Sequence, residues 1–285
     1  MTQSHLTKSK LTTEKALIDH MIDYYQYIPL KYFLKEHAHW ETPQIADTLT
    51  LVDSLINVDL ATVEELAPAL QHDYLLQPSF LERRVYSYSH YLYLSLAKRE
   101  IADYLRGLTP LLVDVFRLII EEHIMPELSD YIVKITKQTE DGRVIYKGLQ
   151  WNEEKIKAKP NRIQSTWQHY YGDTFNYKHY ISSSHLLKII EHHLNNDQIE
   201  AATHQLRQIE KNSRNIIAHE ILYVDEAWLL NRVQLTSDEI HQLLINLINM
   251  AGLTDARQWN AVNHLNDQLR QFLNEQNHQL NDETL

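Results

Sequence analysis

The chain of 285 residues contains no cysteine, only five glycines and only seven prolines. Without cysteine there can be neither a disulfide nor a thiolate ligand for zinc. So few glycines and prolines leave little material for tight turns, which favours long helices. The glycines, at positions 107, 142, 148, 172 and 252, are also too scattered for a Rossmann or P-loop phosphate-binding loop.

Long apolar runs and an excess of basic charge are missing as well. No run reaches the ~18 apolar residues of a membrane span, and the polar N-terminus does not read as a signal peptide, so we expect a cytoplasmic protein without a membrane partner. The net charge of −11 argues against a broad basic surface for nucleic acid but leaves room for a local groove. With 44% hydrophobic residues the chain can bury a sizeable core.

Apolar residues recur at helical spacing along most of the chain, which predicts a mainly α fold. The segment 79–106 also alternates like a strand, but its charged flanks lack turn residues, and we interpret it as helix. Thr109 and Pro110 suit an N-cap and a first helical position, which predicts a helix boundary at 107–110. The tyrosines of 79–106 and the aromatic residues of 167–180 are more typical of packing than of base stacking.

One strand signal interrupts the helices. The alternating segments 131–135 and 143–146 flank Glu140-Asp141-Gly142, a hairpin turn signature. We therefore predict a small β-hairpin insertion at about 131–149.

The chemistry is concentrated in Arg214-Asn215-Ile216-Ile217-Ala218-His219, which reads R-N-x-x-A-H inside a helical segment at about 197–222. A guanidinium can clamp and neutralise a phosphate, and an imidazole can move protons near neutral pH. Asn215 and His219 are four residues apart and therefore share a helix face. The 2′-hydroxyl of RNA can itself be the nucleophile, so these side chains suffice in principle for cleavage without a metal.

The spacing also predicts how the residues are presented. Arg214 and His219 are about 140° apart around an ideal helix, so a single helix does not easily aim both at one point. Two copies that meet across a two-fold axis can. The predicted core stripe places His219 at its edge, half buried, and leaves Arg214 free to meet a partner; its members are Ile199, Ala202, Leu206, Ile209, Ser213, Ile216 and Ile217.

The R-N-x-x-A-H motif late in a helical chain resembles the HEPN ribonucleases, most closely the HEPN half of the Csm-type ancillary ribonucleases of type III CRISPR systems. The resemblance covers about residues 11–253. It implies a helical HEPN-type bundle, a homodimer with a composite active site, and metal-independent cleavage of single-stranded RNA that leaves cyclic-phosphate ends. Those enzymes also carry an N-terminal CARF sensor for cyclic oligoadenylates. This sequence reads as helix from about residue 13, so we expect no such sensor in it; a separate sensor or CRISPR effector chain could act on it instead.

With this resemblance, Arg214, Asn215 and His219 are the predicted catalytic residues. Arg214 would clamp the phosphate, His219 would act as general acid or base, and Asn215 would orient the imidazole or the 2′-hydroxyl. A locally basic stretch is a weaker candidate for RNA binding, with a solvated loop as its alternative; it comprises Lys155, Lys157, Lys159 and Arg162.

No cofactor or metal is expected. His37-Ala38-His39 and His192-His193 are possible ligand pairs, but no carboxylate or further histidine lies at ligand spacing along the sequence.

The predicted organisation is a disordered tail at 1–10, a helical N-terminal region at 11–106, a HEPN catalytic core at 107–253 and a polar C-terminal helix or tail at 254–285. Two other functions remain open. The chain could be a non-catalytic helical dimer or scaffold, or a HEPN toxin of a toxin–antitoxin or abortive-infection system.

Overall fold

The computed structural model describes residues 7–255 and 257–283, without the side chains at positions 214, 215, 218 and 283. Over this part of the chain the fold is mainly α with one two-stranded antiparallel hairpin, as the sequence predicts. The helices are α1 (Lys8–Asp23), α2 (Tyr27–Glu36), α3 (Pro43–Ile56), α4 (Leu60–Ala69), α5 (Phe80–Ala97), α6 (Ile101–His123), α7 (Glu153–Ala158), α8 (Arg162–Tyr171), α9 (Ser183–His193), α10 (Asp197–His219), α11 (Glu226–Val233), α12 (Ser237–Met250) and α13 (Ala261–Glu283).

The chain divides into two compact units. Unit 1 comprises the described parts of Met1–Lys98 and Asp255–Leu285. In it α3 packs against α2, α4, α5 and α13, and α13 also packs against α1. Thr42 caps α3 with its side chain and Pro43 occupies the first turn, as expected from a threonine–proline start. The C-terminal helix is thereby part of the core of unit 1.

Unit 2 is Arg99–Thr254. Its centre is α6, which packs against α9, α10 and α12, while α10 packs against α9, α11 and α12. Tyr104 and Phe116 of α6 are fully buried in it. A capping box of Thr236 and Glu239 begins α12, and Gly252 follows it with φ +87°, a conformation that favours glycine.

The predicted hairpin is confirmed, with bounds β1 (Ile132–Gln138) and β2 (Val144–Trp151). Its register pairs Ile132 with Trp151 and shifts between Ile135 and Thr136. Gly148, at φ +143°, lies against Tyr180; a Cβ there would come within 2.9 Å of the tyrosine Cδ1. The bare glycine thus allows the segment at Tyr180 to pack against the hairpin.

The helix boundary predicted at 107–110 is wrong. The break lies at Lys98–Glu100, where Arg99 has φ +59°, and α6 then runs without interruption through Pro110. Proline inside a helix costs ~3 kcal/mol. The apolar side chains buried on both sides of it outweigh that cost, among them Leu108, Leu111 and Leu112. The border between the predicted regions 11–106 and 107–253 falls inside α6, and that division remains a prediction.

The predicted disordered tail, 1–10, falls largely on residues 1–6, which lie outside the described residues; α1 begins at Lys8 with Thr7 as its side-chain cap. None of the helices in the described ranges is both long and apolar enough to cross a bilayer.

Two histidines of unit 2 make its stability sensitive to acid. Burial lowers the pKa of His241 to about 4, although the nearby charge of Asp238 acts to raise it. Burial likewise lowers the pKa of His185 to about 4, helped by His179 and Lys188. The unfolded chain binds these protons near pH 6.5, before the folded chain does, so the free energy of unfolding falls as pH drops from 6.5 to 4.

We predict that this loss reaches up to about 1.4 kcal/mol per pH unit for each histidine. Urea unfolding between pH 4 and 7 measures it, and His241→Gln should give a shallower slope than the wild type because one of the two groups is gone. The exposed His20→Gln is the matched control. Equal slopes for His241→Gln and wild type would contradict the assignment.

Candidate functional site at the C-terminal end of α10

The R-N-x-x-A-H motif occupies the last six residues of α10, positions 214–219. Asn196 is the N-cap of this helix. Its side-chain oxygen accepts hydrogen bonds from the backbone N–H groups of Gln198 and Ile199 at 3.1 and 3.2 Å. The helix ends where the N–H of Glu220 donates to the carbonyl of Ile216 at 2.9 Å. The motif therefore lies on regular helix up to its final residue.

The buried face of α10 is the predicted stripe. Its members are at most 6% exposed, apart from Ile216, which is half-buried; they are Ile199, Ala202, Leu206, Ile209, Ser213 and Ile217. This face packs against α6, α9 and α12 and fixes which side of the helix reaches solvent.

The histidine of the motif is more accessible than expected. His219 is exposed rather than half-buried, because the helix ends there and the chain turns away as an extended segment. The side chains of Arg214 and Asn215 lie outside the described residues, so the predicted meeting of the three groups stays a prediction. Five helical positions still separate 214 from 219, about 140° around the axis.

Two arginines from other helices bind backbone carbonyls of α10, one within the motif and one just before it. The Nη2 of Arg106, on α6, donates to the carbonyl of Ile217 at 3.3 Å. The Nε of Arg232, on α11, donates to the carbonyl of Asn212 at 2.6 Å. Carbonyls in the last turn of a helix, such as that of Ile217, lack intrahelical partners and carry partial negative charge, so a guanidinium satisfies them well. Neither arginine carries a local sequence signal, since Arg106 and Ile217 are 111 residues apart.

A buried charge lies one turn before the motif. Glu210, 2% exposed, accepts a 2.7 Å hydrogen bond from the hydroxyl of Ser183, and Arg207 lies 3.3 Å from its Oε2. Ser183 is the first residue of α9, so this contact ties the start of α9 to α10. Burying a carboxylate is costly unless it is hydrogen-bonded and paired, and here it is both.

Apolar side chains follow the motif directly on the surface. Ile221 is fully exposed and Tyr223 is 85% exposed, while Leu222 is 38% exposed. Val224 then turns inward, and Asp225 caps α11 by accepting from the N–H of Trp228 at 2.8 Å. An apolar, solvent-facing segment thus adjoins the exposed His219.

The basic stretch is exposed as well, but belongs to other elements. Lys155 and Lys157 lie on α7, Lys159 follows it, and Arg162 opens α8. Lys157 is paired with Glu153 at 2.7 Å and stands 5.3 Å from the ring centre of Tyr177, so part of this charge is already neutralised. α8 packs on α9, and α9 packs on α10. Their role in RNA binding stays a prediction.

Of the two histidine pairs, His192-His193 is engaged in packing: the Nε2 of His193 contacts the carbonyl of Arg162 at 2.8 Å, and His192 stacks on His169.

No carboxylate lies at ligand spacing from His37 and His39 along the sequence, but the fold brings one beside them. Glu14, on α1, lies beside both, and among the described residues these three alone form a group of histidines and carboxylates whose possible ligand atoms lie within 4.8 Å of one another. They lie in unit 1, whereas α10 lies in unit 2.

Comparison with known proteins decides the family. The Cas_Csm6 HEPN domain matches residues 74–270, more than half of the chain. The chain belongs to the Csm6 HEPN family. This confirms the resemblance seen in the R-N-x-x-A-H motif, and the match includes all of α10.

A solved Csm6 has the same fold. Enterococcus italicus Csm6, bound to cyclic hexa-2'-fluoro-hexa-dAMP, superposes with a TM-score of 0.66 at 10% sequence identity. The likeness covers 94% of this Csm6-family chain and 59% of the E. italicus protein, so the chain spans somewhat more than half of that protein's length. A search of curated proteins finds no match.

The arginine on α6 allows a direct test of how the motif is held. We predict that Arg106→Ala speeds amide exchange at Glu220, because losing the bond to the Ile217 carbonyl lets the last turn of α10 fray. Hydrogen exchange followed by mass spectrometry or NMR measures this. Asp103→Ala, which removes the other partner of Arg106 but not the carbonyl bond, is the control. Equal exchange at Glu220 in both variants would show that Arg106 does not hold the helix end.

Proposed function

We propose that this chain is an endoribonuclease that cleaves single-stranded RNA, without a metal, in a composite site formed by two copies of α10, as part of type III CRISPR antiviral defence. One observation carries the proposal: in a chain of the Csm6 HEPN family, R-N-x-x-A-H forms the end of a helix that is buried on one face, and His219 is exposed to solvent.

The chemistry follows from the residue types. Arg214 would hold the scissile phosphate in a forked contact and stabilise the negative charge of the transition state. His219 would take or give the proton of the 2′-hydroxyl or the leaving oxygen. Attack by the 2′-hydroxyl breaks the bond from phosphorus to the 5′-oxygen and leaves a 2′,3′-cyclic phosphate, so no water, nucleophilic side chain or metal is consumed in this step. Asn215, four residues before His219, would orient one of these groups.

Geometry supports two copies rather than one. The spacing of about 140° between positions 214 and 219 is unsuited to a single phosphate on one helix. The exposed segment Ile221–Tyr223 next to His219 provides apolar surface that a second copy would bury. A two-fold axis at this segment would bring both His219 residues to the same cleft.

Cleavage of a labelled single-stranded RNA in EDTA tests the activity. We expect His219→Ala and Arg214→Ala each to lower the rate by roughly 10²–10⁴-fold, in line with the loss of an acid–base group or an electrostatic clamp. His204→Ala, a half-exposed histidine on the same helix, should keep the rate. The products should carry 2′,3′-cyclic phosphates.

The outcomes separate the alternatives. If the folded wild type cleaves no RNA, either alone or after addition of a partner that binds cyclic oligoadenylate, the scaffold is favoured. Cleavage that persists in His219→Ala would refute the site. Activity with an antitoxin gene adjacent, rather than a type III operon, would favour the toxin. A separate sensor or effector chain, the basic stretch as an RNA edge and the cytoplasmic location all remain predictions.

Dimerisation can be tested apart from activity. We predict that Ile221→Ser with Tyr223→Ser weakens self-association, since both side chains are exposed next to the motif. Sedimentation at a series of concentrations measures it. Val144→Ser with Tyr146→Ser, on the exposed end of the hairpin, is the control of matched chemistry, at 68% and 56% exposure. A wild type that stays monomeric at every concentration would contradict the composite site.

A further inference from the structure

Two histidines of unit 1 lie beside a buried carboxylate on another helix. Glu14 lies in the middle of α1, His37 follows the end of α2, and His39 lies in the short 3-10 helix Ala38–Trp40. The Nε2 of His39 is 2.7 Å from Oε2 of Glu14, and the Nδ1 of His37 is 3.0 Å from Oε1. The possible ligand atoms of all three residues lie within 4.8 Å of one another.

The carboxylate is buried with one oxygen incompletely satisfied. Glu14 is 6% exposed, and its Oε1 makes no hydrogen bond even though His37 lies near it. The nearest lysine nitrogen, of Lys10, is 3.7 Å away on a side chain that is 39% exposed. A buried carboxylate normally has good partners for both oxygens. Oε1 here has only the ion-pair contacts with His37, at 3.0 Å, and Lys10, at 3.7 Å, and no hydrogen bond.

The three side chains offer a suitable set of ligand atoms, namely one carboxylate oxygen and two imidazole nitrogens. A metal bound between the three groups would displace protons from the imidazoles, as metal binding at histidines does.

The nitrogen–oxygen pairs would open to take an ion. In a tetrahedral zinc site with bonds of 2.0–2.2 Å, neighbouring ligand atoms are about 3.4 Å apart. The two nitrogen–oxygen pairs here, at 2.7 and 3.0 Å, would open by about 0.7 and 0.4 Å. His37 and His39 are 27% and 20% exposed, so solvent can reach the centre and supply a fourth ligand.

An outer layer of contacts already orients these groups. The indole N–H of the fully buried Trp40 donates to Oε2 of Glu14 at 2.9 Å. Gln276, on α13, donates to the backbone carbonyl of His39 at 2.7 Å. Phe33 stacks on the ring of His37 at 4.2 Å. Such outer partners fix ligand orientation in metal sites and contribute strongly to affinity.

We propose that Glu14, His37 and His39 bind one divalent transition-metal ion, of the zinc class, which joins α1 to the end of α2 and stabilises unit 1. Two imidazoles and one carboxylate select zinc, cobalt or nickel over magnesium and calcium, which prefer oxygen ligands. The proposed ligands belong to unit 1 and the proposed cleavage motif to unit 2, and the cleavage step proposed above uses no metal.

The test uses the full chain without a polyhistidine tag, zinc chloride as the probe of binding and cobalt chloride as the spectroscopic probe. Isothermal titration after chelator treatment and dialysis should show one zinc per chain, and one equivalent should raise the Tm. Cobalt should give the visible absorption bands of a tetrahedral nitrogen–oxygen site. His37→Gln and His39→Gln should each weaken zinc binding by more than the 10–100-fold that outer partners typically contribute, and abolish the rise in Tm. The exposed His20→Gln on α1 is the control and should bind as the wild type does.

Glu14→Gln is interpreted only together with the histidine variants, because it removes a buried charge and can lower stability by itself. Circular dichroism of each variant without metal establishes that the variant is folded. Absence of zinc binding by the wild type would overturn the proposal, and so would zinc binding of equal affinity in folded His37→Gln and His39→Gln. RNA cleavage by these two variants in EDTA, below their Tm, is expected to match the wild type. That readout distinguishes failure of the metal site from failure of the proposed nuclease.

Discussion

The structure of unit 2 depends on the burial of one face of α10. Its apolar stripe packs against α6, α9 and α12, and burial of each large aliphatic side chain stabilises the fold by about 1.5–3 kcal/mol. Because the stripe fixes the rotation of the helix about its own axis, it also fixes which side of α10 faces solvent, the side on which His219 is exposed. The placement of the motif thus depends on apolar packing that does not itself involve the predicted catalytic groups.

The end of α10 is supported by polar contacts as well as by packing. Arg106 and Arg232 bind backbone carbonyls near the motif, and Glu210 joins α10 to the start of α9 through Ser183. A helix end that must present functional groups cannot be covered by other apolar elements. Hydrogen bonds from neighbouring helices hold it in place and leave His219 open to solvent.

Unit 1 uses a different means of joining its helices. A buried carboxylate on α1 meets two histidines and an indole at the end of α2, and α13 reaches the same place through Gln276. Membership of the Csm6 HEPN family rests on residues 74–270, so α1 and α2 lie outside the matched range. The proposed metal site is accordingly an inference about this chain and not a property carried over from the family.

Local patterns were enough to predict the mainly α fold, the hairpin, the stripe of α10 and the motif, because helical periodicity, turn residues and spacing are properties of neighbouring residues. The same patterns misplaced the break near Pro110, since the burial that carries α6 through the proline comes from other helices. They also placed His219 too deep and missed Arg106, Glu210 and the neighbourhood of Glu14. Each of these depends on which distant residues the fold brings together: 111 positions separate Arg106 from Ile217, and 25 separate Glu14 from His39. The sequence alone determined which helices form and where the chemistry is concentrated, whereas only tertiary packing decided which charged groups are buried, paired or left facing solvent.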